Sequence, residues 1–253
     1  MSEDPVAVLS RWEAAGASDV GRVRQGNEDA FLVDAQRGVF LVADGMGGHA
    51  AGEVASAIAT ETVGGALAKA IDAGAKPEAV ERALAESIRQ AHDAIGRRSV
   101  ADPLTQGMGT TCTACAVLPD GAFRIGHVGD SRAYLLREGA LAQLTRDHTW
   151  VQREVDAGRL TPRQARTHRF SHIITRALGV EDVGTPDLVP GLLLPGDVML
   201  LATDGLTGMV DDPTIAQILG AGQPLAKTAD ALIAAANAGG GADNVTVVLV
   251  RAL

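Results

Sequence analysis

Two apolar runs end alike: Val39-Phe-Leu-Val-Ala43 leads into Asp44-Gly45, and Val198-Met-Leu-Leu-Ala202 leads through Thr203 into Asp204-Gly205. Each run is too short for a helix and lacks polar alternation, so it reads as a strand buried on both faces. Residues 110–118, 122–128 and 133–137 follow one another with turn signals between, which predicts an antiparallel meander; residues 245–250 add another buried strand. Helical patterns cover residues 50–70, 78–95 and 224–236, with Pro77 suited to the first turn of the second. Strands, two long helices, a strand block, an irregular insertion, then strands and helices again do not make βαβ alternation. The order predicts an α+β fold, two antiparallel β-sheets packed face to face with helices outside, as one domain over residues 1–253.

Composition narrows the class. The 253 residues are 46% hydrophobic, enough for a packed core, so global disorder is excluded. Thirty glycines and seven aromatics describe small aliphatic packing with many tight turns. A net charge of −9 lacks the basic footprint of a nucleic-acid binder. The acidic start Met1-Ser-Glu-Asp-Pro5 does not resemble a secretory signal, and no run of about 18 apolar residues predicts a membrane span, so a cytoplasmic setting is expected. Cys112 and Cys115 stand an odd number of residues apart in a strand-like run, so they face opposite ways and cannot join His168 and His172 on one zinc ion. Gly45-Met-Gly-Gly-His-Ala50 has the outline of a dinucleotide loop, yet Asp44 directly before it would repel a pyrophosphate.

Carboxylates at the ends of buried strands carry the chemistry. Asp120-Gly121 joins two strand-like runs and is an ordinary hairpin turn. Asp44-Gly45 and Asp204-Gly205 differ, because a helix or glycine-rich loop follows; Asp243 stands just before the last strand. Gathered carboxylates repel, and a hard divalent cation such as Mg²⁺ or Mn²⁺ relieves that; Asx-turns and helix caps are the alternative. Alone, Asp130 reads as a turn residue and Glu28 with Asp29 as a solvated pair. Residues 148–179 carry six arginines: a solvated helix-turn-helix excursion, or a mobile cover over a site for an anionic substrate.

Six motifs occur in order: Arg24-x-x-Asn-Glu-Asp29, Asp44-Gly-Met-Gly-Gly-His49-x-x-Gly-Glu53, Met108-Gly-Thr-Thr111, Gly129-Asp-Ser-Arg-Ala-Tyr-Leu135, Thr203-Asp-Gly-Leu206 and Asp243-Asn-Val-Thr246. From about residue 16 onward the chain resembles the metal-dependent serine/threonine protein phosphatases of type 2C (the PPM family), in its bacterial branch. The resemblance implies a four-layer αββα sandwich with a pair of helices on each side. It implies two Mn²⁺ or Mg²⁺ ions bridged by Asp44, with Asp204 and Asp243 on one. The Gly45 carbonyl and, through water, Glu28 would serve the other. Asp130 with Asp204 corresponds to a third, weaker position. Arg24 matches the arginine that holds the substrate phosphate, and Asp29 and Asn244 stand behind the ligands as supports.

The implied reaction is hydrolysis of phosphoserine or phosphothreonine by a metal-bridging water, without a phosphoenzyme. Met46 stands where eukaryotic relatives have a histidine. His49 is the nearby catalytic candidate for general acid, with a metal-bound water as the alternative. Residues 148–179 correspond to the family's flap, although Arg169-Phe-Ser-His172 departs from its usual Pro-x-Arg-Asn. Expected partners are phosphorylated proteins, a bacterial serine/threonine kinase or its substrates, with no nucleic acid and no membrane, and a monomer is expected. Two other readings are a phosphoprotein-binding scaffold without catalysis and a hydrolase of small phosphate esters.

Overall fold

The computed structural model describes residues 12–47, 51–180 and 183–253. In chain order come β1 (Trp12–Asp19), β2 (Asp29–Asp34), β3 (Val39–Met46), α1 (Ala51–Asp72), α2 (Pro77–Ala101), β4 (Gly109–Thr110), β5 (Cys112–Val117), β6 (Ala122–Val128), β7 (Arg132–Arg137) and β8 (Ala140–Gln143). Then follow α3 (Trp150–Asp156), α4 (Pro162–Arg166), β9 (Asp187–Leu192), β10 (Val198–Ala202), α5 (Asp204–Thr207), α6 (Asp212–Leu219), α7 (Leu225–Ala238) and β11 (Val245–Ala252). One antiparallel sheet has the order β1-β11-β10-β7-β8; the other runs β2-β3-β5-β6-β9, with β4 beside the end of β3.

Alternate residues of each central strand go to different cores. Val39, Leu41 and Ala43 of β3 pack under α1 and α2, while Phe40 and Val42 point between the sheets. Val198, Leu200 and Ala202 of β10, with Val245, Val247 and Leu249 of β11, pack under α6 and α7. Met199, Leu201, Val248 and Val250 meet Phe40, Val42, Cys115 and Ile125 of the other sheet in the middle. All are buried, so the strand period appears in destination and not in polarity. At about 1.5–3 kcal/mol for each buried aliphatic side chain, these three layers are the main source of stability. Cys112 and Cys115 fall in different layers, as their spacing predicts.

The αββα order is therefore present, with differences in detail. The three-strand meander is corrected: β5 and β6 pair, but β7 lies in the opposite sheet beside β10 and β8. Gly129-Asp130-Ser131 is thus a crossover between sheets and not a hairpin turn. The second outer layer holds α6, α7 and the single turn α5, where a plain pair of helices was expected. Among the described residues one helix, α1, is long and apolar enough to cross a membrane by length and composition, although Glu53, Glu61 and Lys69 interrupt it. Its stripe Ala55, Ala59, Val63 and Leu67 is buried against the sheet. Met1 to Arg11 and Ala50, on which the leader and first-helix expectations partly rest, lie outside the described residues.

Candidate metal centre

Asp44 sits where β3 leaves the sandwich, opposite Asp29 of β2 in the ladder. Its backbone is fixed by two threonines. Thr111 Oγ1 accepts from the Asp44 N–H at 2.9 Å, and Thr110 Oγ1 donates to the Asp44 carbonyl at 2.9 Å. Thr111 Oγ1 also lies 2.7 Å from Ser131 Oγ, next to Asp130, so one hydroxyl ties two acid-bearing loops together. A Cβ at Gly45 would collide with the carbonyls of Gly52 and Glu28, and one at Gly205 with the Asn244 carbonyl. These glycines permit close backbone approach, whereas Gly121, at φ +83°, makes the hairpin turn of the β5–β6 connection.

The other carboxylates converge from separate elements. Asp204 opens α5, Asp243 precedes β11, and Asp130 lies in the crossover. Burial pushes Asp44 well above the usual carboxylate range, and the charges of Asp204, Asp29, Asp130 and Asp243 add to it. Asp130 is raised well above the usual range by burial first and then Asp204. Asp204 is raised by burial and then Asp243, while a hydrogen bond with the Asp44 carboxyl opposes the shift. Asp29 is pushed up to about 7, by burial first. Oδ1 of Asp29, Asp130 and Asp204 is sealed from solvent and makes no hydrogen bond.

Three orphaned, mutually repelling carboxylate oxygens are costly in a protein interior. A hard cation removes that cost, and the donor set is all oxygen, so the residues fit Mg²⁺ or Mn²⁺. Among the described residues no three acidic, histidine or cysteine side chains already form a closed cage. Asp243 is turned onto Arg24, with Nη2 donating to Oδ2 at 2.7 Å, so a guanidinium neutralises that corner.

A cleft of about 400 Å³ opens beside this cluster, lined by Arg24, Glu28, Gly47, Glu53 and Asn244 among others. Arg24 is half exposed there, and its bond to Asp243 strengthens its hold on the proton. Burial raises Glu28. Asn244 accepts from the Glu28 N–H at 2.9 Å and donates to the Val20 and Gly26 carbonyls, so it fixes the loop between Arg24 and Glu28. Thr203 Oγ1 donates to Asp29 at 2.9 Å and accepts from the Thr246 N–H.

Arg24, Glu28, Asp29, Asp44, Gly45, Asp130, Asp204, Asp243 and Asn244 therefore gather at one end of the sandwich. His49 lies outside the described residues. Sequence reasoning missed the work of Thr110, Thr111, Thr203 and Ser131. All four stand within the six motifs, but only Ser131 and Thr203 adjoin an acid, and nothing in the motifs says that Thr110 and Thr111 hold Asp44. The 148–179 segment is anchored on the Asp130 side. The His148 N–H donates to the Gly129 carbonyl at 2.8 Å, and His148 Nδ1 accepts from the Gly129 N–H at 3.0 Å.

Comparisons with known proteins agree with this geometry. A family model described as protein phosphatase 2C matches residues 21–238. The serine/threonine protein phosphatase PstP of Mycobacterium tuberculosis H37Rv is 42% identical over 235 residues, covering 93% of this chain and 44% of the relative. The serine/threonine phosphatase stp of Listeria monocytogenes serotype 4b is 38% identical, covering 92% of this chain and 93% of the relative. Thus the chain spans less than half the length of PstP but nearly all of stp. A crystal structure of the PstP catalytic domain in complex with two manganese ions superposes with a TM-score of 0.82 at 41% identity, covering 95% of this chain and 97% of that one.

Proposed function

The chain belongs to the protein phosphatase 2C family, and on that premise we propose that it hydrolyses phosphoserine and phosphothreonine in proteins as a metal-dependent phosphatase. The observation that carries this is the cluster of buried carboxylates with three orphaned oxygens, set beside a cleft that Arg24 lines. Asp44, Asp204 and Asp243, with Glu28 and the Gly45 carbonyl, would hold two Mn²⁺ or Mg²⁺ ions, and Asp130 with Asp204 a third. Bound there, the ions supply an activated water at neutral pH and charge stabilisation on the phosphate oxygens.

The chain's own residues do the positioning. Arg24 presents a planar fork to two phosphate oxygens, an exchange of one carboxylate partner for a phosphate. Thr110 and Thr111 hold Asp44 at the strand end, Asn244 holds Glu28, and Thr203 fixes Asp29. His49 is the proposed proton donor to the departing serine or threonine oxygen. Neither cysteine suits a nucleophile: both are fully buried, and burial pushes the Cys112 thiol up to about 12. In the same reading residues 1–253 form one cytoplasmic, monomeric catalytic domain with 148–179 as its flap. Its substrates are proteins phosphorylated by a bacterial serine/threonine kinase.

Phosphate release from a phosphothreonine peptide tests the proposal. Turnover should require Mn²⁺ or Mg²⁺ and stop with EDTA. Turnover that persists in EDTA would refute it.

A further inference from the structure

The 148–179 segment is a basic island on an acidic protein. It holds six arginines against two acids, Glu154 and Asp156, for a net of +4; the whole chain is −9, which leaves −13 for the rest. Internal pairing accounts for only part of this charge. Arg159 binds Glu154 at 2.6 Å, Arg146 from outside the segment takes Asp156, and Arg176 binds Asp187 at 2.8 Å. Arg166 donates to the Val210 carbonyl at 3.1 Å and the Thr207 carbonyl at 3.4 Å. Arg153, Arg163 and Arg169 are exposed and, among the described residues, have no carboxylate partner. Arg169 instead lies over the Phe170 ring, 4.4 Å from its centroid.

The island is closed on itself and tied to the loops beside the proposed metal centre. Its two ends pair through backbone bonds from Thr175 to His148 and from Trp150 to Ile173. His148 reaches Gly129, immediately before Asp130, and also contacts Asp187 at 3.2 Å. His148 Nε2 also lies 2.8 Å from Arg176 Nη1, which ties the ring to the arginine that binds Asp187. At the other side Arg166 holds the far end of the turn that begins with Asp204. Trp150, His168 and Phe170 form a three-ring cluster, with centroids 5.2 to 5.5 Å apart. Arg169 stands where the family pattern has proline and Phe170 at its open position; here Phe170 supplies a ring to that cluster and Arg169 a guanidinium upon it.

Free guanidiniums on a preorganised support, next to a site for a phosphorylated chain, select the flanks of that chain. We propose that residues 148–179 form a docking platform for protein segments rich in Asp and Glu around the phosphorylated residue, read by Arg153, Arg163 and Arg169. The proposal rests on the phosphatase reading and names its substrate class. A lysine-flanked segment meets like charge on the platform, so selection combines attraction with repulsion.

Two phosphothreonine peptides of equal length, one flanked by Glu and one by Lys, test it with Mn²⁺ present. The wild-type protein should favour the Glu peptide about 5- to 10-fold in kcat/KM, mostly through KM, with the preference shrinking as salt rises. The triple variant Arg153→Gln, Arg163→Gln, Arg169→Gln should bring the ratio near one, leaving hydrolysis of a small uncharged aryl phosphate ester unchanged. A ratio near one in the wild type, or one untouched in the variant, overturns the platform. If neither peptide nor aryl ester is cleaved, the phosphatase reading itself fails; fluorescence anisotropy with the same peptides then decides the platform by their Kd ratio. Binding to phosphatidylserine vesicles that is lost in the variant, together with a flat peptide ratio, would reassign the island to a membrane surface and overturn it too.

Discussion

β10 carries a buried carboxylate before its first residue and another just past its last, and the two have opposite fates. Asp197 is 2% exposed, yet both of its oxygens are satisfied. Arg137 Nε donates to Oδ1 at 2.9 Å, and the Leu194 N–H donates to Oδ2 at 2.8 Å. Asp204 is desolvated, repelled by Asp243, and keeps one oxygen with no partner. Burial does not separate a structural acid from a functional one; hydrogen-bond satisfaction does. The same unpartnered oxygens occur at Asp29 and Asp130, at the end of the sandwich where the proposed ions would sit.

The largest expected effect breaks the comparison at its functional end. Asp204→Asn should lower kcat/KM on a phosphothreonine peptide by more than ~100-fold, the upper end of what losing a mere supporting partner costs. Its metal-free melting temperature should hold or rise, because one repelling charge is gone. Kinetics paired with thermal melts in EDTA check both. A fall in stability with activity retained would put Asp204 in the same class as Asp197.

The pH dependence of the metal-free chain sharpens the same contrast. Asp29 titrates near 3.8 when unfolded and about 7 when folded, so between these values the native state keeps a proton that the unfolded chain has lost. Its contribution is complete below about pH 4 and disappears as pH rises through 7, a few kcal/mol in all. Asp44 and Asp130 push in the same direction. Carboxylates held low by partners, such as Asp19, lose their contribution only below pH 4, outside this window. His127, buried and lowered to about 4, works the other way up to about pH 6.5, so urea midpoints in EDTA should fall from pH 6.5 to pH 8. Mn²⁺ at 100 times its Kd should restore about 2.7 kcal/mol per site. A midpoint that does not move with pH would mean the acids are not coupled.

Thr203→Val probes the support behind the site. It removes the donor to Asp29 and the acceptor for Thr246, so activity should drop about 10- to 100-fold with the metal ligands intact. Manganese titration calorimetry separates weaker binding from slower turnover. An unchanged kcat/KM would show that Asp29 needs no orientation.

How much of this was legible depends on where each strand lies. The middle strands β3, β5, β10 and β11 are buried on both faces and announce themselves as apolar runs, whereas β6 carries Arg124 and His127 and is marked by the turns around it. The edges β1, β2, β8 and β9 have no five-residue apolar run, since one side of each is solvent or loop. β9 even contains Pro190, which an edge tolerates because its missing N–H interrupts no interior ladder. Sheet membership of β7 was equally hidden: Asp130 and its neighbours have turn chemistry whether the chain doubles back or crosses between sheets. Asp130, Glu28 and Asp29 entered only through the family motifs, whereas Asp44, Asp204 and Asp243 were readable because a carboxylate ending or opening a buried strand is expensive without a purpose. The threonines that aim them were not, because a hydroxyl within such a strand has many uses and no spacing rule.

The smallest effect tests the structural end of β10. Asp197→Asn keeps the shape but places an amide N–H where Arg137 or Leu194 donates, so donor faces donor. Breaking a fully buried pair costs 3–5 kcal/mol, yet the Arg137 side chain is 39% exposed and regains water, which brings the expected loss to about 2 kcal/mol. Arg137→Gln should cost more, because it leaves a buried charge on Asp197 with little beyond the Leu194 N–H to hold it. Adding Asp197→Asn to that variant should return part of the stability, a coupling readable in a double-mutant cycle of urea midpoints. Through all three variants the kcat/KM of the folded protein should stay at the wild-type value. A loss of activity without a loss of stability at Asp197 would mean that an unpartnered oxygen, and not burial at a strand end, was the wrong criterion for telling the two acids apart.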